Sequence, residues 1–108
     1  MNKELIKGST ITLILNTLQQ EPLYGYALIK AIENKSNGLF LFKEGTLYPI
    51  LHDLEQKELV EAFWLEENQR RRKYYRITPK GLNELKKRET EWHTFKLTMD
   101  AVLGGITR

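Results

Sequence analysis

The chain predicts a mainly α (α+β) fold: three helices, a β-hairpin and a long last helix, in that order. Three observations carry this. The stretch Glu44-Gly45-Thr46-Leu47-Tyr48-Pro49-Ile50-Leu51-His52-Asp53-Leu54-Glu55 has the apolar spacing of a short amphipathic helix. About fifteen residues further on, Arg70-Arg71-Arg72-Lys73-Tyr74-Tyr75-Arg76 reads as a basic, aromatic β-hairpin arm. Near the end, Leu85, Trp92, Met99 and Ile106 recur every seven residues on one long helix. A helix able to enter a groove, beside a cationic arm able to grip phosphates, defines a winged helix-turn-helix. Here it would have a β-hairpin wing and a long C-terminal dimerisation helix.

Residues 3–19 suit the first helix. Ile11, Ile14, Leu15 and Leu18 share one arc at about 100° per residue, and Leu5, Ile6 and Leu13 share another. Two apolar sides imply burial against two neighbours. Gln20-Glu21-Pro22 breaks the pattern, and Tyr24-Gly25-Tyr26 opens a second helix with Leu28, Ile29 and Ile32 inward. Ser36-Asn37-Gly38 closes it, with Asn37 or Gly38 as a left-handed cap. Leu39-Phe40-Leu41-Phe42 is expected as a short extended piece.

The third helix spans about 44–57, with Leu47, Ile50, Leu51 and Leu54 as its core stripe. Gly45, Tyr48, Pro49, His52 and Gln56 face the other way. Pro49 deprives the Gly45 carbonyl of its helical partner, and Lys43 is a poor N-cap. Val60–Leu65 and Lys73–Ile77 are β-rich runs joined by a polar tip, in which Asn68 is the only residue that readily turns left-handed. Thr78 as N-cap and Pro79 in the first turn start the last helix, roughly 79–104. The chain therefore divides into a winged-helix body, 1–78, and a dimerisation helix, 79–108. Leu85, Trp92, Phe95, Met99, Val102 and Ile106, with Leu5 and Ile6 of the first helix, are the expected dimer interface.

At 108 residues and 41% hydrophobic content, one domain with a modest core is expected, too small for a large enzyme cleft plus its scaffold. The net charge of +3 is mild but unevenly placed. Arg70 to Lys73, with Arg76 and Lys80 close behind, is the electrostatic footprint of a polyanion partner. The lack of cysteine excludes disulfides, thiolate zinc sites and cysteine nucleophiles, and fits a cytoplasmic location. No signal peptide and no apolar run of about 20 residues is visible, so no membrane role is expected. His52 and His93 lie on different elements without ligand spacing, and no glycine-rich phosphate loop is present. Glu66-Glu67 sits on a flexible tip, a poor place for acid–base chemistry. No enzyme activity, metal or cofactor is expected.

Double-stranded DNA is the expected partner. Small Gly45 and flat Pro49 let a nucleic-acid backbone or base edge come close, and Tyr48, His52 and Gln56 are candidates for groove contact. Tyr24 and Thr46 complete this set. On the arm, Arg70, Arg71, Arg72, Lys73, Tyr74 and Arg76 are the phosphate candidates. Lys73, Tyr75 and Ile77 alternate with Arg72, Tyr74 and Arg76, so only some face DNA, and Tyr75 and Ile77 are assigned to the core. A charge run is usually just a solvated face; the interleaved tyrosines and the element order favour phosphate contact. Asp53 and Glu55 are expected to pair with local cations. Trp92 is either a packing anchor in the dimer seam or a stacking plate for a planar ligand, with Phe95 and Met99 beside it.

At the residue level the chain resembles the PadR family of bacterial transcriptional regulators. The matching segments are Gly8 with Leu13-Ile14-Leu15, Leu23-Tyr24-Gly25-Tyr26-Ala27-Leu28-Ile29, Glu44-Gly45-Thr46-Leu47-Tyr48-Pro49, His52, Leu54-Glu55, and Arg71-Arg72-Lys73-Tyr74-Tyr75-Arg76-Ile77-Thr78-Pro79-Lys80-Gly81. The length is similar to the small subgroup with a single C-terminal helix. The resemblance implies a homodimeric repressor that binds inverted-repeat operators. It also implies a small planar aromatic effector between the subunits, as in some small members. The wing tip Glu66-Glu67-Asn68-Gln69 departs from the pattern: it lacks glycine and carries two acids, which disfavours insertion into a minor groove. Two other functions remain open on the residues alone: a winged-helix protein–protein interaction module, and a small-molecule sensor with its main site at the dimer interface.

Overall fold

The computed structural model describes residues 3–104. The elements are α1 (Lys3–Gln20), β1 (Leu23–Tyr24), α2 (Gly25–Lys35), α3 (Glu44–Gln56), β2 (Val60–Glu67), β3 (Arg70–Ile77) and α4 (Pro79–Val102). The strands form one antiparallel sheet in the order β1-β3-β2. Helical spacing gives α2 and α3 one apolar stripe each, and these meet one of the two apolar sides of α1 over one face of the sheet, while Leu5 on its other side stays 57% exposed. Ile14, Leu15 and Leu18 pack with Leu28, Ile29 and Ile32, with Leu47, Leu51 and Leu54, and with Val60 and Tyr75. Ile77 packs against this cluster, as its alternation with Tyr75 requires, and Ile50 sits at the margin of its stripe.

Four expectations are corrected. Tyr24 does not begin a helix. Leu23 and Tyr24 form a strand opposite Tyr75 and Tyr74, and α2 starts at Gly25. Pro22 cannot continue α1, and the β-prone pair that follows satisfies its backbone on the free edge of β3. Leu39 to Phe42, expected as a short extended piece, bends at Leu39 and Phe40 and joins no strand of the sheet. The hairpin strands run on to Glu67 and from Arg70, leaving a two-residue turn. Both of its residues are left-handed, Asn68 at φ 49° and Gln69 at φ 65°, so Asn68 is not alone. Positive φ at both central positions is the turn whose twist matches the strands it joins.

The fourth correction concerns α4. Leu85 is only 1% exposed and belongs to the chain's own core, so it has no surface left for a partner. The first turns of α4 are clasped to the body. The Gly81 N–H donates to Thr78 Oγ1 (2.9 Å), which itself donates to the Glu58 carbonyl (2.7 Å). Beyond that, every residue from Thr90 to Met99 is exposed. Trp92 (57%), Phe95, Met99 (39%) and Val102 carry the seam largely exposed. Ile106 and the side chain of Ile6 lie outside the described residues.

Candidate nucleic-acid interface

The outward side of α3 is built by small and polar residues. Gly45, Thr46, Pro49, His52 and Gln56 are all exposed, while Leu47, Leu51 and Leu54 hold the opposite side in the core. A Cβ added at Gly45 would meet nothing, so this stretch of helix presents bare backbone to solvent. His52 and Gln56, one turn apart, place their Nε2 atoms 3.2 Å from each other. Their donors and acceptors therefore form one polar unit on the open face. Tyr48 behaves differently. Its ring lies against Gly25, at the start of α2, and it keeps 42% exposure. Burial, then Glu44, then Tyr75 push its hydroxyl above the ordinary tyrosine range. Asp53 and Glu55 pair locally, with Lys57 (2.9 Å) and Lys73 (3.5 Å) respectively.

The pleat of β3 sorts the cationic run. Lys73 falls on the side of Tyr75 and is drawn toward α3 by Glu55. Arg76 meets Glu61 at 2.6 Å and lies over the Phe63 ring. These two cations are partly committed to the protein. Arg72 stacks 4.4 Å from the Tyr24 centroid, and Arg71 lies 4.9 Å from that of Trp64. Stacking orients each guanidinium without neutralising it, so both keep their donors for an anion. Arg70, the first residue of β3, is exposed. The Tyr74 hydroxyl donates to Glu67, and that bond leads the causes that raise its pKa.

The outer sheet face therefore carries a row of rings, one from each strand. Tyr74 touches Tyr24 edge-on (5.4 Å) and stacks on Phe63 (5.8 Å). The sequence reading missed Phe63 and Trp64 as supports for the arginines. The signal was available: with the hairpin in register, Phe63 falls opposite Tyr74 and Trp64 opposite Lys73. The expected set thus resolves into an open helix face, three available arginines, and two cations held by carboxylates.

Between α1 and α4, and closed by Phe40 from the segment before α3, lies an open groove of about 570 Å³ lined by Leu5, Leu13, Phe40, Arg88, Glu91 and Trp92. The Phe95 ring lies tilted beside that of Trp92, 5.8 Å between centroids, but neither Phe95 nor Met99 lines the groove. No group of side chains suited to a metal ion occurs among the described residues, and no helix among them is long and apolar enough to cross a membrane.

Residues 14–87 match the transcriptional regulator PadR-like family. The chain is similar to an uncharacterized protein X of Lysinibacillus sphaericus, 34% identical over 107 residues, covering 98% of each chain. Among solved structures it is similar to a transcriptional regulator from Clostridium thermocellum, with TM-score 0.85 and 35% identity over 94% of this chain and 96% of that one. It is likewise similar to a PadR family transcriptional regulator from Eggerthella lenta, with TM-score 0.82 and 34% identity over 97% and 88% of the two chains. A match over most of the length, in sequence and in fold, to a family of regulators rather than enzymes shows that the chain belongs to the PadR-like family of DNA-binding transcriptional regulators.

Proposed function

We propose that the protein is a cytoplasmic, homodimeric repressor of an inverted-repeat operator. Helix α3 enters the major groove, with Gly45, Thr46 and Pro49 allowing close approach and His52 and Gln56 reading base edges. Arg70, Arg71 and Arg72 hold the flanking phosphates, with Trp64 bracing Arg71, Tyr24 bracing Arg72, Tyr74 packed between Tyr24 and Phe63, and Lys73 and Arg76 adding field. The observation that carries this reading is the pairing of an open, small-residue face on α3 with two arginines braced on aromatic rings but not neutralised. The groove beside Trp92 supports a second element, a small planar aromatic effector. Such a ligand relieves repression only by favouring a dimer shape in which the two α3 helices no longer fit the operator, since equal affinity for both shapes shifts nothing.

The test is a binding assay on the DNA upstream of the protein's own gene, across a range of salt. Replacing Arg71 and Arg72 together with Ala should weaken binding to every sequence and lower the slope of log affinity against log salt by about 0.9 per lost phosphate contact. His52→Ala or Gln56→Ala should instead cost about 1 to 3 kcal/mol on the operator and little on random DNA. A folded double-arginine variant with unchanged affinity and slope rules out the phosphate role. Equal losses on operator and random DNA rule out base reading by His52 and Gln56.

A further inference from the structure

Gly25 opens α2, and a Cβ built on it would lie 2.5 Å from the hydroxyl oxygen of Tyr48 and 2.7 Å from both Cε1 and Cζ of the same ring. Its three nearest neighbours are thus all atoms of one side chain on another helix. The backbone there is ordinary, since Gly25 is not among the residues with positive φ. What the position requires is the missing side chain. Gly8 and Gly45, by contrast, would each accept a Cβ with nothing within 4 Å. Tyr48, His52 and Gln56 succeed one another at intervals of four, which is one row along the surface of α3. Anchoring the first member of that row to α2 fixes the rotation of α3 about its own axis. It thereby fixes where the other two point.

We infer that Tyr48 is a positioning residue of the recognition helix: its ring, seated on the bare backbone of Gly25, sets the angle between α2 and α3 and aims His52 and Gln56. The inference rests on the DNA-binding reading above. It gives the ring, rather than a hydroxyl–DNA bond, the work at position 48. The two segments that carry these residues, Tyr24-Gly25-Tyr26 and Thr46-Leu47-Tyr48-Pro49, each contain half of the contact. Burial as the leading cause of the raised hydroxyl pKa agrees with a ring seated against protein. The blocking atoms lie at the end of a rotatable side chain. Ala at position 25 should therefore swing the ring outward and leave the core intact.

The experiment is a set of four variants, Gly25→Ala, Tyr48→Ala, Tyr48→Phe and the double Gly25→Ala/Tyr48→Ala, read two ways. The first needs no DNA. In protein labelled with 3-fluorotyrosine, the resonance lost in Tyr48→Phe identifies Tyr48, and it should move toward its solvent-exposed position in Gly25→Ala. An unmoved resonance overturns the packing. The second reading is the ratio of affinities for a duplex selected by the wild-type protein from a random library and for an unselected duplex of equal length. Gly25→Ala and Tyr48→Ala should each lower that ratio by about tenfold, with the salt slope unchanged because the wing is untouched. Tyr48→Phe should keep the ratio. The double variant should be no worse than Tyr48→Ala, because the two changes remove one contact. A loss in Tyr48→Phe equal to that in Tyr48→Ala overturns positioning and assigns the work to the hydroxyl, and losses that multiply in the double variant overturn it by showing that the two residues act separately. If wild type selects no duplex, the DNA-reading role fails and the positioning role with it, while the fluorine shift still reports whether the ring sits on Gly25.

Discussion

Glu58 holds a backbone conformation that its own side chain opposes. It lies just past α3 with φ at 62°. The Leu59 N–H bonds back to the Leu54 carbonyl (2.9 Å) and the Glu58 N–H to the Glu55 carbonyl (3.0 Å). This is the paired closure that usually places glycine at the left-handed position. The same closure ends α2, where left-handed Asn37 precedes Gly38, whose N–H reaches the Glu33 carbonyl (2.8 Å). There the sequence supplies residues that suit it; at Glu58 it supplies a long side chain with a Cβ in the way. Its carboxylate makes no ion pair among the described residues. Glu58→Gly should therefore stabilise the protein by about 1 kcal/mol, raising Tm by about 4 °C in a scan of the purified variant. A lower Tm would mean that the side chain contributes more than the strained backbone costs.

At the scale of elements, the junction of α4 with the body decides whether the last helix is rigidly attached. A Cβ at Gly81 would lie 2.1 Å from the carbonyl oxygen of Leu59 and 2.7 Å from Ile77 Cγ1. The first obstacle is backbone, already bonded to the Thr78 N–H at 3.1 Å, and cannot rotate away. Gly81→Ala must lift the start of α4 off the sheet and loosen Leu85 in the core. That should cost about 3 kcal/mol, read as a lower urea midpoint with little change in slope. The helices and the hairpin were legible in the sequence because each owes its place to local periodicity and capping. Thr78-Pro79 marks the start of α4, and the stripes of α1, α2 and α3 became the core. What was not legible depends on tertiary contact. A two-residue strand exists only because β3 has a free edge, and Leu85 continues the seven-residue rhythm of the seam yet faces inward because the start of α4 is pinned to Leu59. The helix face and arginine run of the candidate site were legible too. Sequence alone did not separate the arginines braced by Tyr24 and Trp64 from the cations claimed by Glu55 and Glu61, because Tyr24 reaches Arg72 only through the β1–β3 pairing and Glu55 reaches Lys73 only through the packing of α3 beside the sheet.

The whole molecule is 56 Å long and only 28 by 21 Å across, a shape that leaves the far half of α4 standing away from its own core. A helix with Trp92, Phe95, Met99 and Val102 exposed along one seam is a poor structure for a monomer and a good one for a pair. In the proposed homodimer the seam packs on the partner, with Leu5 of α1 close by, and the two α3 helices lie on one side related by a two-fold axis. The operator then has half-sites about one helical turn apart, or a small multiple of that. Cutting the chain after Pro79 would be a poor test, since it strips Leu85 from the core and unfolds the body for an unrelated reason. Val102→Asp separates the two effects. Val102 is 75% exposed, so a charge there should leave the fold and Tm of a single chain nearly untouched. Across a subunit seam it would bury an unpaired carboxylate against its own symmetry mate. Sedimentation at micromolar concentration should show a dimer for wild type and a shift toward monomer for the variant. Operator affinity should fall with it, because one half-site loses the advantage of two linked ones, while the weaker binding to a single half-site persists. A clean monomer mass for the wild-type protein would refute the dimer. A variant that remains dimeric would place the subunit contact elsewhere than this seam.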